Sequence, residues 1–256
     1  MQIKQASRVW ISLALAVMLS ACTIPFVSEQ ELAIESEKQF TQMRNQMVIS
    51  TDANVRSYVF CVADAIIREL EEPYASMDWD IEVFDNEAVN AFAMPGGKIG
   101  VFTGILAVAE NQDQLGAVLG HEVAHVTQHH SVDRTNQALT TQVGTTAAGA
   151  VLGGGYAGDL VQLGAQLGLT LPYGRGQESE ADVVGLVYSS NAGFDPRESV
   201  QLWKNMAKAS DGAPPEFLST HPSSDTRIDD LIKELPGSLV SYNQAKADGK
   251  LPQCGD

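Results

Sequence analysis

His121 and His125 stand four residues apart with Glu122 beside the first, in a stretch whose apolar residues Leu115, Val118, Leu119, Val123 and Val126 recur at helical spacing. On a helix the two imidazoles leave from nearly the same face, one turn apart. Glu122 then lies about 100° around the axis, beside that face rather than opposite it. The helix has to bury its apolar stripe, so the histidines are carried toward a core where each needs a partner. Gly116 and Gly120 are costly inside a helix and predict that another element packs closely against this one.

Two neutral imidazole nitrogens at this spacing can grip one zinc ion at about 2.0–2.1 Å each. A carboxylate placed like that of Glu122 can reach a metal-bound water without taking a coordination position, which is the role of a general base. A third protein ligand is needed, and the segment Arg175 to Asp182 offers one. On a helix Glu178 and Asp182 share a face while Glu180 points away, and the small Ala181 and Gly185 on the same side let a second helix approach. Glu178 is the candidate ligand. Asp182 is the candidate acceptor for the outer ring N–H of a ligand histidine. Standing alone, the segment reads as an exposed acidic helix start; it is the histidine pair that favours the ligand reading. His129 lies about 12 Å along the axis from His121, too far to share an ion, and His130 falls opposite His121 on the helical wheel; both read as capping or packing residues.

These motifs and four others resemble peptidase family M48, which holds the CAAX prenyl proteases and the HtpX-like proteases. The others are Asn90-Ala91-Phe92-Ala93-Met94-Pro95-Gly96-Gly97, Ala192-Gly193-Phe194-Asp195-Pro196, Thr220-His221-Pro222-Ser223 and Arg227-Ile228. The likeness runs from about Asp85 to Leu231; Gly174 stands where the family often carries Ser before the Arg. It implies a zincin-like fold and one zinc ion per chain, held by His121, His125 and Glu178, with Glu122 as the base and Asp182 behind a ligand. It also draws His221 to the cleft, either to donate to a developing oxyanion or to hold the zinc's open position at rest. Arg227 would order Asp182 or the neighbouring loop, or simply start a helix.

The first 21 residues read as a signal peptide: Lys4 and Arg8, then an apolar run from Val9 to Leu19 too short to span a bilayer comfortably. It ends in Leu19-Ser20-Ala21-Cys22, which resembles a lipobox and implies cleavage before Cys22 and acylation of that residue. Thr23, where Asp would favour the inner membrane, implies the periplasmic face of the outer membrane. Residues 22–27 read as a tether. Cys61 and Cys254 remain, and in an oxidising compartment they can pair, stapling the C-terminal tail to a helix, or stay as thiols.

The chain carries 16 basic and 32 acidic residues and no Lys/Arg cluster, which argues against nucleic acid as a partner. Ser28 with Glu31 forms a capping box for a helix to about Met47, and a second helix follows Asp52 with Val55, Val59, Val62, Ile66 and Leu70 on one stripe. Strands are expected around Trp79 to Val83, Ala88 to Met94 and Lys98 to Thr103, the last two joined at Pro95-Gly96-Gly97. A short helix from Gly104, the histidine helix from Gln112 to His130, helices over 177–191 and to Ala209, and a last one from Arg227 to about Glu234 complete the reading. Residues 135–174, with Asp159 as their only charge, suggest a lid or a helical hairpin. The expected architecture is α+β and predominantly helical, a single domain over 28–256 with a small antiparallel sheet.

The function implied by the resemblance is a zinc endopeptidase of the bacterial envelope, degrading misfolded or misassembled proteins bound along a strand edge. The alternative is a chaperone-like factor in the assembly of outer-membrane proteins, with latent proteolysis. An inert zinc-stabilised module is a third reading, distinguished by four closed ligands.

Overall fold

In the computed structural model the described residues are 26–146, 172–209, 215–222 and 226–255. The expected signal peptide, Cys22, most of the tether and the larger part of the 135–174 segment lie outside them.

Helix α1 (Glu29–Gln46) starts where its capping box places it: the Glu31 N–H donates to Ser28 Oγ, and the Ser28 N–H donates to Glu31 Oε2 at 2.8 Å. Helix α2 (Ala53–Ile67) is capped by Asp52, which accepts from the N–H groups of Asn54 and Val55, and it buries Val59, Val62, Ala63 and Ile66.

Strands β1 (Asp80–Phe84), β2 (Ala91–Met94) and β3 (Lys98–Phe102) form one sheet in the order β1-β3-β2. The hairpin of β2 and β3 is antiparallel, turning through Gly96 and Gly97 at φ 81° and 73°, which glycine adopts without strain. β1, however, runs parallel to β3, from Asp80 beside Lys98 to Phe84 beside Phe102, so the sheet is mixed rather than antiparallel throughout. Every residue of β3 is buried and the strand takes the central position. β2 begins at Ala91, later than Ala88, because the Asn86 side chain accepts from the Ala88 N–H and holds a turn there. Glu82, despite its charge, is buried and held by Arg44 at 3.1 Å and Arg56 at 2.6 Å.

A 3₁₀ turn (Thr103–Ala107) leads to α3 (Gln112–Thr127), the histidine helix. It stops short of His130: His129 sits at φ 57° in the left-handed region, and α4 (His130–Thr146) starts in a new direction. α5 (Arg175–Asn191) lies against α3, and α6 (Arg197–Ala209), α7 (Glu216–Thr220) and α8 (Arg227–Ala247) follow. The close approach expected at Gly120 is real, since a Cβ there would come within 2.6 Å of the Gly185 carbonyl oxygen. α8 passes through Pro236 and runs well beyond Glu234. Burial of Ser238 and Ala245 anchors its second half despite the lost donor. Cys61 and Cys254 are joined, and Gln112 clasps the tail by donating to the Pro252 carbonyl at 2.8 Å and accepting from the Cys254 N–H at 2.9 Å. The C-terminal strap is thus tied to the first residue of the histidine helix. Among the described residues no helix is long and apolar enough to cross a membrane.

Candidate metal centre

Packing α3 against α5 brings His121, His125 and Glu178 together, and the residue after α7, His221, closes the group. One donor atom from each lies within 4.8 Å of the others, and all four side chains are buried. His121 Nε2 and His125 Nε2 are 2.9 Å apart, and His221 Nδ1 is 3.2 Å from the first and 3.0 Å from Glu178 Oε1.

The outer ring atoms show how the inner ones are poised. His121 Nδ1 lies 3.0 Å from Asp182 Oδ1, a carboxylate that can only accept, so the proton sits on Nδ1 and the Nε2 lone pair faces the cluster. His125 Nδ1 lies 2.9 Å from His130 Nδ1, and His130 Nε2 lies 3.3 Å from Glu180. The Glu180 carboxylate places the His130 proton on Nε2, so His130 Nδ1 accepts and His125 donates. His125 therefore also turns a bare nitrogen inward. Burial holds the His125 imidazole well below its ordinary pKa and hence neutral. Burial likewise opposes ionisation of Glu178, but the His221 Nδ1–H it accepts at 3.0 Å and the surrounding histidine rings outweigh it and keep the carboxyl well below the usual range. Bare imidazole nitrogens and an ionised carboxylate converging on one buried point are a donor set that fits a metal ion.

Arg227 clamps both acids from behind, with Nε on Asp182 Oδ2 at 2.6 Å, Nη2 on Oδ1 at 2.7 Å and Nη1 on Glu178 Oε2 at 2.6 Å. Its guanidinium lies 3.6 Å over the Trp203 ring. The structure therefore joins Arg227 to Asp182, and to Glu178 as well.

Glu122 is buried beside the cluster. Its Oε2 accepts from the Ala93 N–H at 3.1 Å, which draws the outer edge of β2 to the site. Its Oε1 makes no hydrogen bond and lies 3.3 Å from His221 Nε2. Burial raises the carboxyl above its ordinary pKa, the direction that favours taking up a proton.

Three partners escaped the sequence reading. One continuous helix would put His130 opposite His121; the break at His129 turns it back onto His125. Tyr173 stacks on His125 with centroids 3.8 Å apart, and Phe217 stacks on His221 at 4.4 Å. Tyr173 stands at no spacing that ties it to the histidines, whereas Phe217 lies four residues before His221, one turn along α7, a helix that the sequence does not announce. Glu180 does point away from the cluster, as its helical position requires, yet it meets His130.

The class defined by this fold and site is matched by comparison with known proteins. A sequence model described as peptidase family M48 matches residues 53–235, and the chain belongs to that family. The mitochondrial metalloendopeptidase OMA1 of Schizosaccharomyces pombe is 38% identical over 168 residues, covering 65% of this chain and 49% of its own. Its Homo sapiens counterpart is 30% identical, covering 80% of this chain and 42% of its own. The beta-barrel assembly-enhancing protease of Yersinia pestis is 29% identical, covering 79% and 43%. The chain spans about half the length of these curated relatives.

Proposed function

We propose that the chain is a zinc-dependent endopeptidase, with His121, His125 and Glu178 holding the zinc and Glu122 as general base. The observation that carries this reading is the buried convergence of donor atoms from His121, His125 and Glu178, with those of His221, within 4.8 Å of one another, and the free oxygen of Glu122 alongside. Zinc bound there supplies Lewis acidity toward a scissile carbonyl and lowers the pKa of a water. Glu122 takes a proton from the attacking water and returns it to the departing amine. The Ala93 N–H keeps that carboxylate aimed. A substrate chain can add along the outer edge of β2, where backbone hydrogen bonds bind with little regard to sequence. Replacing Glu122 by Gln tests the reading: cleavage of casein should fall by about 10²–10⁴-fold with bound zinc retained. Cleavage at the wild-type rate would overturn it.

The lipobox-like segment and the name of the Yersinia pestis relative support a place on the periplasmic face of the outer membrane, anchored through Cys22. Misfolded or misassembled envelope proteins would be the substrates there. His221 favours a second reading in which the protein assists outer-membrane assembly and its proteolysis is held latent. His221 sits among the ligands, and as a fourth donor it would close the site at rest. Full rescue of envelope assembly by Glu122→Gln would separate that role from hydrolysis.

A further inference from the structure

The cleft above Glu122 and His221 has a volume of about 390 Å³, within the roughly 300–1,000 Å³ of pockets that enclose small ligands or single large side chains. Part of its wall comes from neither of the helices that build the metal centre. Leu32, Ser36, Gln39 and Met43 of α1 line it, spaced at four, three and four residues along one helical face. Phe92 and Met94 of β2 and Phe102 of β3 complete the apolar lining. Arg134 also reaches the cleft, but it is buried and its guanidinium lies 3.7 Å over the ring of Tyr173.

Several contacts make this wall rigid. The Asn136 side chain clasps Val27 just ahead of α1, accepting from its N–H and donating to its carbonyl, both at 2.9 Å. Val27, Leu32 and Leu139 form a small core between α1 and α4. On its other side α1 sends Phe40 edge-on against Phe84, and it meets the β2–β3 turn so closely that a Cβ on Gly96 would come 3.0 Å from the Ala33 Cβ. α1 lies outside residues 53–235, the stretch matched by the family model.

We propose that this face of α1 forms a subsite for one bulky apolar side chain of the substrate, aromatic or long aliphatic, at a residue next to the scissile bond. α1 then sets the cleavage preference of a site whose β2 edge reads only backbone. The inference rests on the peptidase reading. The side chains of Leu32, Met43, Phe92, Met94 and Phe102 in this wall reward buried hydrocarbon, which an acid or amide side chain does not supply.

The test uses the zinc-loaded full chain with quenched-fluorescent peptides varied on both sides of the scissile bond. At one position kcat/KM should favour Phe, Leu or Met over Gly or Asp by about tenfold or more. Two variants at half-buried cleft positions should move the preference in opposite directions with zinc content unchanged. Gln39→Trp narrows the pocket and should shift the preference toward Ala and Val; Met43→Ala widens it and should shift it toward Trp. A preference that is absent, that favours acids, or that neither variant moves overturns the subsite. If neither the wild type nor His221→Ala cuts any peptide, the peptidase reading fails. The subsite is then judged by fluorescence anisotropy of labelled peptides on the Glu122→Gln protein: tighter binding of Phe than of Gly peptides supports it, and equal binding overturns it.

Discussion

His130 Nδ1 lies 2.9 Å from His125 Nδ1, on the side of the His125 ring facing away from the metal cluster. His130 thereby does for His125 what Asp182 does for His121, fixing the tautomer that leaves the inner nitrogen bare.

His130→Phe should weaken metal binding by about 10–100-fold, the usual effect of losing an outer partner of a ligand, measured by competition with a chromogenic chelator. His130→Gln, whose amide oxygen can accept the same proton, should recover part of the loss. Equal affinity in wild type and His130→Phe would leave His130 a packing residue.

His221→Ala should raise peptidase activity several-fold, because removal of a fourth donor enlarges the fraction of molecules with an open site. A fall in activity at unchanged zinc content would instead assign His221 to the stabilisation of the oxyanion. Casein hydrolysis and metal analysis on the same preparations decide between them.

Gly185→Ala places a methyl group 2.6 Å from the backbone nitrogen of His121. Forcing α5 away from α3 should cost about 1–3 kcal/mol of stability, the usual range for overpacking, and should reduce zinc retention in parallel. Thermal unfolding followed by circular dichroism, with metal content, measures both.

Breaking the Cys61–Cys254 link, which spans 193 residues of sequence, removes a large loop constraint on the unfolded chain. The Cys61→Ser/Cys254→Ser double variant should lose about 2–4 kcal/mol in urea unfolding. Gln112 still clasps the tail, so the folded double variant should keep the helix content of the wild type.

Asp80 tests the acid limb of stability. Hydrogen bonds from Arg44, one of them 2.8 Å, hold its carboxyl below the ordinary value of 3.8. A depressed folded pKa contributes stability that is fully present above the unfolded value and fades as pH falls through the folded one. The difference in melting temperature between wild type and Asp80→Asn should therefore be greatest near neutral pH and shrink below about pH 4.

Much of the scaffold was legible in local sequence. Ser28 and Asp52 mark helix starts, Pro95-Gly96-Gly97 marks the hairpin, and the helical period puts His121 with His125 and Glu178 with Asp182. Gly120, Ala181 and Gly185 even announce that the two helices touch. These features depend on periods and caps spanning a few residues, so a linear reading reaches them. The tertiary structure alone decided the rest. It set β1 parallel beside a fully buried β3, turned His130 onto His125 through the left-handed His129, and laid Tyr173 over the His125 ring. It also brought α1 across the cleft, with Val27 just ahead of it bonded to Asn136, 109 positions away. The physical reason is that side-chain direction beyond a chain reversal, and partnership between distant segments, follow from how whole elements bury their apolar faces, which no local period encodes.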